Sequence, residues 1–412
     1  MPTPKIYHMH IYKLFKKVFT YCMLLLLSMC DSDSKEQLKG FPTKYQEPKF
    51  SLSEIFTDLE VIILSNEKPI TTPLDIITND SLMIIPTWEG KIFRYYYDGT
   101  LLDIVDGQGL GPEEYAGIVD LIIQQDTFYI NVGMAGREIL VYDSNFRYIR
   151  KIKYPDDVSF GRLFWHGNAF HLFTRPVGYV PEDDWVSFDL SGNILAAKPF
   201  NKSIKAPASA TNGSLAILDN NDVIYVYREI VDTIYVIDKD LYYYPAFQIN
   251  RNYEIDAPLL SNEELAFYSR LGPQNGRRIR KITCLGKLWV VMIENIKKET
   301  LFETALFDTE KDKTYLLSSV KPEFGKPFSH GLPFTWVGAG FLYWDFKITI
   351  NDNEYIACLI DAHKLIDFIH SEEFINSVPE RSDIKKMITK LADSIDYDSN
   401  PVIFLFKIRS EI

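Results

Sequence analysis

Lys91–Val105 reads KIFRYYYDGTLLDIV: an apolar-rich strand, an acidic turn and a second strand. The phrase recurs as EILVYDSNFRYIRKI at Glu138–Ile152, DWVSFDLSGNILAAK at Asp184–Lys198, DTIYVIDKDLYYYPAF at Asp232–Phe247 and ETALFDTEKDKTYLL at Glu303–Leu317. A weaker copy ends in LIDAH, at Asp361. The turn aspartates Asp98, Asp143, Asp189, Asp238, Asp308 and Asp361 are 45, 46, 49, 70 and 53 residues apart. A repeat near this length is the mark of stacked supersecondary units, and four-stranded units at this spacing build a β-propeller. The expected fold is therefore all-β: one six-bladed propeller of four-stranded antiparallel blades.

Working outward, blades one to five are expected at Pro73–Val105, Ile118–Tyr154, Arg162–Phe200, Ser214–Ile249 and Arg280–Leu317. Blade six is expected to begin near Phe334, with an inner turn at Gly338-Ala339-Gly340. Leu59–Leu64 precedes the first repeat and has no partner of its own. A ring must pair its edges or expose them, so this strand is expected as the outer strand of the last blade. Val402–Ile408 is expected beside it, with the third strand of that blade left open between Tyr355–Ile360 and Val402–Ile408. The 70-residue interval holds an insertion in which Ser261 and Glu264 form a capping-box pattern. Ile375–Ile395 carries apolar residues at helical spacing. Short helical insertions are thus expected near 261–270 and 375–395, inside a propeller spanning 51–412.

The N-terminus has the layout of a targeting segment. Lys13, Lys16 and Lys17 precede an apolar run at Val18–Met29 that is too short to span a bilayer. Leu27-Ser28-Met29-Cys30 resembles a bacterial lipobox, with Met29 where a smaller residue is usual. The expectation is a signal peptide over 1–29 and a lipidated Cys30 on a polar tether over 30–50. An uncleaved signal anchor and an unlipidated signal peptide are the other readings. Cleavage would remove four lysines and no acid, taking the net charge from −12 to −16. Such an acidic chain, with no Lys/Arg-rich run, argues against nucleic acid and against anionic membrane surfaces as partners. Cys284 and Cys358 fall in strand-like runs of different blades and are expected as unpaired core thiols.

The chemistry-bearing residues form no recognised catalytic set. Gly107, Gly109 and Gly111 do not fit a nucleotide loop between strand and helix. They are expected to let a crossover between blades take positive φ angles. The acid pairs Glu113-Glu114, Asp156-Asp157 and Asp183-Asp184 read as solvated loops, and the turn aspartates as caps of their own turns. His166, His171, His330, His363 and His370 lack metal-ligand spacing, and no G-x-S-x-G elbow occurs. No catalytic residue, metal or cofactor is expected.

Gly107-Gln108-Gly109-Leu110-Gly111-Pro112-Glu113-Glu114-Tyr115, the series of strand pairs with Asp or Asn turns, and Asn400-Pro401-Val402-Ile403 together carry a resemblance. The chain resembles the six-bladed NHL/TolB-like propeller lipoproteins of the bacterial envelope, from Phe50 to the C-terminus. The first phrase is close to that group's G-x-GPGE-[FY] and the last to its NPV ending, though Gly111-Pro112-Glu113 arrives one residue shifted. The resemblance implies a propeller at the envelope, lipid-anchored at the outer membrane, and it implies no activity.

In such a blade the connection from strand two to strand three shares a ring face with the crossover to the next blade. That face collects the long loops, and Trp88, Arg137, Arg175, Trp185 and Arg228 are the expected ligand contacts there. The expected function is non-enzymatic binding or scaffolding, by a monomer, toward a glycan, peptide or partner protein. The alternative is a hydrolase or lyase acting on a sugar-derived substrate at the channel mouth.

Overall fold

The computed structural model describes residues 39–40, 45–46 and 51–410, apart from 110, 112, 133–136, 155–160, 175–182, 200–214, 221–222, 229–232, 249–276, 296–300, 312, 321–331 and 343–345. Six four-stranded antiparallel sheets form the blades of one propeller. Blade one comprises Ile77–Thr78, Leu82–Pro86, Lys91–Tyr96 and Leu101–Asp106. Blade two comprises Asp120–Gln124, Thr127–Asn131, Glu138–Tyr142 and Tyr148–Lys153. Blade three comprises Gly161–His166, Ala169–Thr174, Asp183–Phe188 and Ile194–Pro199. Blade four comprises Leu215–Asn220, Val223–Arg228, Thr233–Asp238 and Tyr243–Gln248. Blade five comprises Arg277–Leu285, Leu288–Asn295, Leu301–Asp308 and Lys313–Val320. First strands of neighbouring blades approach one another around the axis, and fourth strands form the rim.

Burial follows this radial order. Ala169–Thr174 is buried at every position, because neighbouring blades cover both of its faces. The rim strand Ile194–Pro199 is exposed or half-buried throughout. The core is accordingly a series of clusters between adjacent blades, such as Tyr129, Ile139, Phe170 and Phe188 between blades two and three.

Blade six closes the ring. Its strands are Phe346–Ile350, Asn353–Ile360, Val402–Ile408 and, outermost, Phe56–Ile63 from the N-terminal side of the chain. Phe56–Ile63 pairs antiparallel with Val402–Ile408 over seven registered pairs, so both ends of the chain lock the same blade. This settles the third strand as Val402–Ile408 and Asn353–Ile360 as the second. The expected start near Phe334 is wrong. Phe334–Gly340 instead lies within a small hairpin of Leu332–Pro333 and Phe341–Leu342. It packs beside blade six, with the Phe334 and Phe406 ring centroids 5.8 Å apart. The true inner turn is Asn351-Asp352, with φ of 46° and 62°, the left-handed pair that a two-residue hairpin requires.

The recurring aspartates do cap turns. Asp143 Oδ1 accepts from the amides of Asn145 and Arg147, Asp189 Oδ1 from Ser191 and Asn193, and Asp238 Oδ1 from Asp240 and Tyr242. Blade one departs from that register. There Tyr96 occupies the backbone position of Asp143, bonding Thr100 and Gly99 as Asp143 bonds Arg147 and Phe146, and Asp98 falls two residues later. Asp361 is not a blade turn at all. It precedes a helix and pairs with Lys364 at 2.7 Å. A sixth turn of this kind cannot exist, because the closing blade draws its third and fourth strands from opposite ends of the chain.

Between the second and third strands of blade six lie helices α1 (Ala362–Ile369), α2 (Glu372–Asn376) and α3 (Ser382–Ala392). The last two meet the expectation for 375–395, whereas 261–270 lies outside the described residues. The helices share one cluster with Trp336 of the small hairpin, Phe404 and Phe406 of blade six, and Val290 and Leu306 of blade five.

Two short parallel pairings extend the sheet edges. Lys39–Gly40 lies along the rim strand of blade four and Tyr45–Gln46 along that of blade five. The segment expected as a plain tether therefore touches two blades before the chain enters the third. Cys284 and Cys358 are buried in blades five and six, with no disulfide between them; Cys30 lies outside the described residues.

Candidate functional site

The chain enters the first strands of blades one to three alike, through Leu74-Asp75-Ile76-Ile77, Val119-Asp120-Leu121-Ile122 and Gly161-Arg162-Leu163-Phe164. Placed side by side around the axis, they line a central cavity of about 320 Å³, with Asp75, Asp120 and Arg162 in corresponding positions. These residues lie at the crossover end of their strands, which is the long-loop face. Gln124 and Trp165 line the cavity from the far ends of theirs. The sequence reading did not single out any of the three charged residues.

Asp120 is the fixed member. Its Oδ1 lies 2.6 Å from Arg162 Nε. Its Oδ2 accepts from Asn131 Nδ2 at 2.8 Å and from the Leu163 amide at 2.9 Å. Asn131 in turn donates to the Gly161 carbonyl and accepts from the Tyr154 hydroxyl. Together these bonds tie blade two to blade three. The Arg162 side chain is 46% exposed and opens onto the cavity. Asp120 raises its pKa further above the ordinary arginine value.

Asp75 differs. Its Oδ1 accepts from the Ile76 amide at 2.8 Å. Burial pushes its pKa up to about 6, against the lowering effects of that amide, Arg162 and, from blade five, Lys281. Its carboxyl thus changes charge close to neutrality. Among the described residues no group of three or more His, Cys, Asp or Glu side chains could hold a metal ion. His171 serves the core: its Nδ1 accepts from Trp185 Nε1 and its Nε2 lies 3.1 Å from the His166 carbonyl. Burial pushes its pKa down to about 4.

The five residues expected as ligand contacts divide. Trp88 follows the second strand of blade one, two residues after the cavity-lining Pro86, and is 64% exposed. Arg137 is exposed in the corresponding connection of blade two; its carbonyl accepts from the Tyr154 amide, which fixes its backbone at φ 47°. Arg228 ends the second strand of blade four, where the same face begins. Arg175 lies outside the described residues. Trp185 is a correction: it is 1% exposed within the third strand of blade three, with its ring stacked against His171 and Tyr243. It offers no face to a ligand, because a strand residue pointing between blades belongs to the core.

The glycine phrase supports this face, though not through positive φ angles, since neither Gly107, Gly109 nor Gly111 takes one. What it supplies is room. A Cβ at Gly107 would lie 2.5 Å from the buried Tyr115 ring, and one at Gly109 would lie 1.9 Å from Glu114 Oε2. Glu114 reaches back to the Gly111 amide, while Tyr115 plugs the gap between blades one and two.

The family model described as a domain of unknown function, DUF4934, matches residues 41–407. No curated protein matches the chain. Among solved structures, the chain is similar to a protein of Bacteroides fragilis described as exported, at 14% identity and TM-score 0.61, covering 90% of this chain and 99% of that one. It is also similar to a DUF4221 family member from Bacteroides vulgatus, at 9% identity and TM-score 0.51, covering 86% and 97%. At these identities the likeness is one of fold.

Proposed function

We propose that this chain, which belongs to the DUF4934 family, is an envelope-anchored, non-enzymatic binding or scaffold propeller that takes its ligand on the long-loop face. The observation that carries this reading is the open cavity whose charged end shares that face with the exposed Trp88 and Arg137. An aromatic ring and an exposed arginine beside a concave, partly polar hollow suit a glycan or a peptide. Arg228, at the end of the second strand of blade four, and Arg175 complete the proposed contact set. An envelope location is supported by the signal-like pattern of the N-terminal sequence and by the exported protein with a similar fold. Anchoring through lipid on Cys30 is part of the proposal.

Two measurements test it. Trp88→Ala with Arg137→Ala should abolish binding to whichever ligand a glycan or peptide array identifies, while leaving the melting temperature unchanged. Unaltered binding would move the site elsewhere. Cys30→Ser should release the protein from membranes on fractionation; a mutant that stays membrane-bound would refute the lipid anchor.

One observation favours the second reading, an enzyme acting on a sugar-derived substrate. Asp75 has a pKa near that of a working general acid. Turnover of chromogenic glycosides that Asp75→Asn removes would put the enzyme ahead of the binding module.

A further inference from the structure

The cavity carries more information than its position. Its wall charges are largely compensated from within. Arg162 spends its Nε on Asp120, and Asp120 is further held by Asn131 and the Leu163 amide. The terminal nitrogens of Arg162 make no other bond among the described residues, and its side chain faces the cavity. Asp75 keeps one carboxyl oxygen beyond the bond from Ile76 and shares the same end of the cavity. Further along the strands the lining includes the apolar Ile77, Ile122, Phe164 and Trp165, with Gln124 at the far end.

From this arrangement we infer that the cavity is a subsite for an uncharged sugar ring, the terminal residue of a glycan that enters from the long-loop face. The inference rests on the binding reading given above and supplies its ligand class. A donor fork beside a carboxyl matches neighbouring hydroxyls, each of which both gives and accepts a hydrogen bond. The apolar walls suit the C–H face of a pyranose. A ligand with a full charge fits less well. A carboxylate paired with Arg162 would also lie against Asp75 and Asp120, and an ammonium paired with Asp75 would lie against Arg162, so either full charge meets a like charge beside its partner. The volume stands at the lower end for a ligand pocket, which favours one ring over an extended chain. Asp75 titrates close to neutrality and can accept from or donate to a hydroxyl, which suits a ligand without charge.

The test uses the purified protein and a panel of uncharged sugars: glucose, galactose, mannose, N-acetylglucosamine, maltose and cellobiose. Glucuronate and dipeptides are the charged comparators, and binding is followed by calorimetry and saturation-transfer NMR. At least one uncharged sugar should bind, more tightly than every charged comparator. Arg162→Lys keeps the ion pair's charge but removes the fork, and should weaken binding at least tenfold. Asp75→Asn should weaken it less, because an amide still offers an acceptor. Binding by no uncharged sugar at millimolar concentration would overturn the inference. So would a preference for glucuronate or a dipeptide, or undiminished binding in Arg162→Lys at an unchanged melting temperature. If Arg162→Lys folds poorly, Ile122→Trp, which fills the cavity from its wall, takes its place and should block the sugar. If Trp88→Ala with Arg137→Ala abolishes binding while both cavity variants leave it intact, the long-loop face stands and the sugar subsite falls. The converse result would retain the subsite and remove the loop contacts.

Discussion

The carbonyl oxygen of Ile63 lies where a side chain on Gly99 would have to be: a Cβ built there would approach it to 2.0 Å. Gly99 sits in the turn of blade one and Ile63 at the end of the closing strand of blade six. Beside them the Ser65 amide donates to the Gly99 carbonyl. The turn that announces the repeat is thus also the seat of the ring's closure.

Gly99→Ala should therefore be costly twice over. The backbone is held at φ +86°, which alone costs a non-glycine residue about 1–3 kcal/mol, and the clash is with backbone that cannot swing aside. Chemical denaturation should show a loss at or above that range. A loss as small as that of an ordinary surface substitution would mean that the closing strand is free to shift.

Asn400 ties the same seam from the other side. Its Oδ1 accepts from the Ile70 amide and its Nδ2 donates to the Ser65 and Lys68 carbonyls. Asn400→Ala removes three bonds at a buried position, for about 2–4 kcal/mol at roughly 1 kcal/mol per bond. Asn400→Asp should be no better, since a carboxylate presents acceptors to two carbonyls. Equal stability of Asp and Asn variants would show that the side chain's donors are idle.

Deleting residues 51–64 removes the rim strand of blade six and exposes Val402–Ile408 as an open edge. The expected outcome is insolubility or a large fall in melting temperature. A soluble truncation that melts with the intact protein would remove this strand from any part in closure.

Asp75 gives a pH signature of definite sign. Its pKa in the folded protein is about 6 against an ordinary 3.8. The group therefore binds its proton more tightly when folded, and its ionised form is penalised above about pH 6. The penalty fades as the pH falls from 6 toward 4 and is absent below. Asp75→Asn should stabilise the protein at pH ~7.5 by at most ~3 kcal/mol and leave it unchanged at pH ~4. A gain that persists at low pH would come from packing, not from charge.

Much of this architecture is legible because each blade repeats the same local chemistry. The aspartate turns, the paired left-handed residues of the inner hairpins and the unpartnered N-terminal strand are all short-range signals. Two misreadings have local causes as well. Gly338-Ala339-Gly340 reads as the inner turn of blade six because two close glycines mark a turn, yet Gly338 is glycine because a Cβ there would meet the Val378 carbonyl at 2.1 Å. Asp98 matched the other aspartates by type while its backbone position belonged to Tyr96. The cavity charges were missed for a different reason. Asp75, Asp120 and Arg162 each stand alone in the chain, and only the stacking of successive blades around the axis brings them together. The intervals of 45 and 42 residues between them repeat the blade spacing, so an alignment anchored on first strands, in place of turns, would have placed them in one layer. Trp185 shows the opposite limit, since loop and strand residues two positions apart cannot be told from composition.

The pairing of Lys39–Gly40 and Tyr45–Gln46 along successive rims also sets a mechanical order. Tension drawn through the chain on the N-terminal side of Lys39 meets blade four first, where two residues can peel away, then the equally short contact on blade five. The antiparallel ladder of Phe56–Ile63 comes last, with its seven pairs. A pull is thus spent on two sacrificial grips in series before it reaches the joint that keeps the ring shut, so slack is released while the propeller itself stays closed.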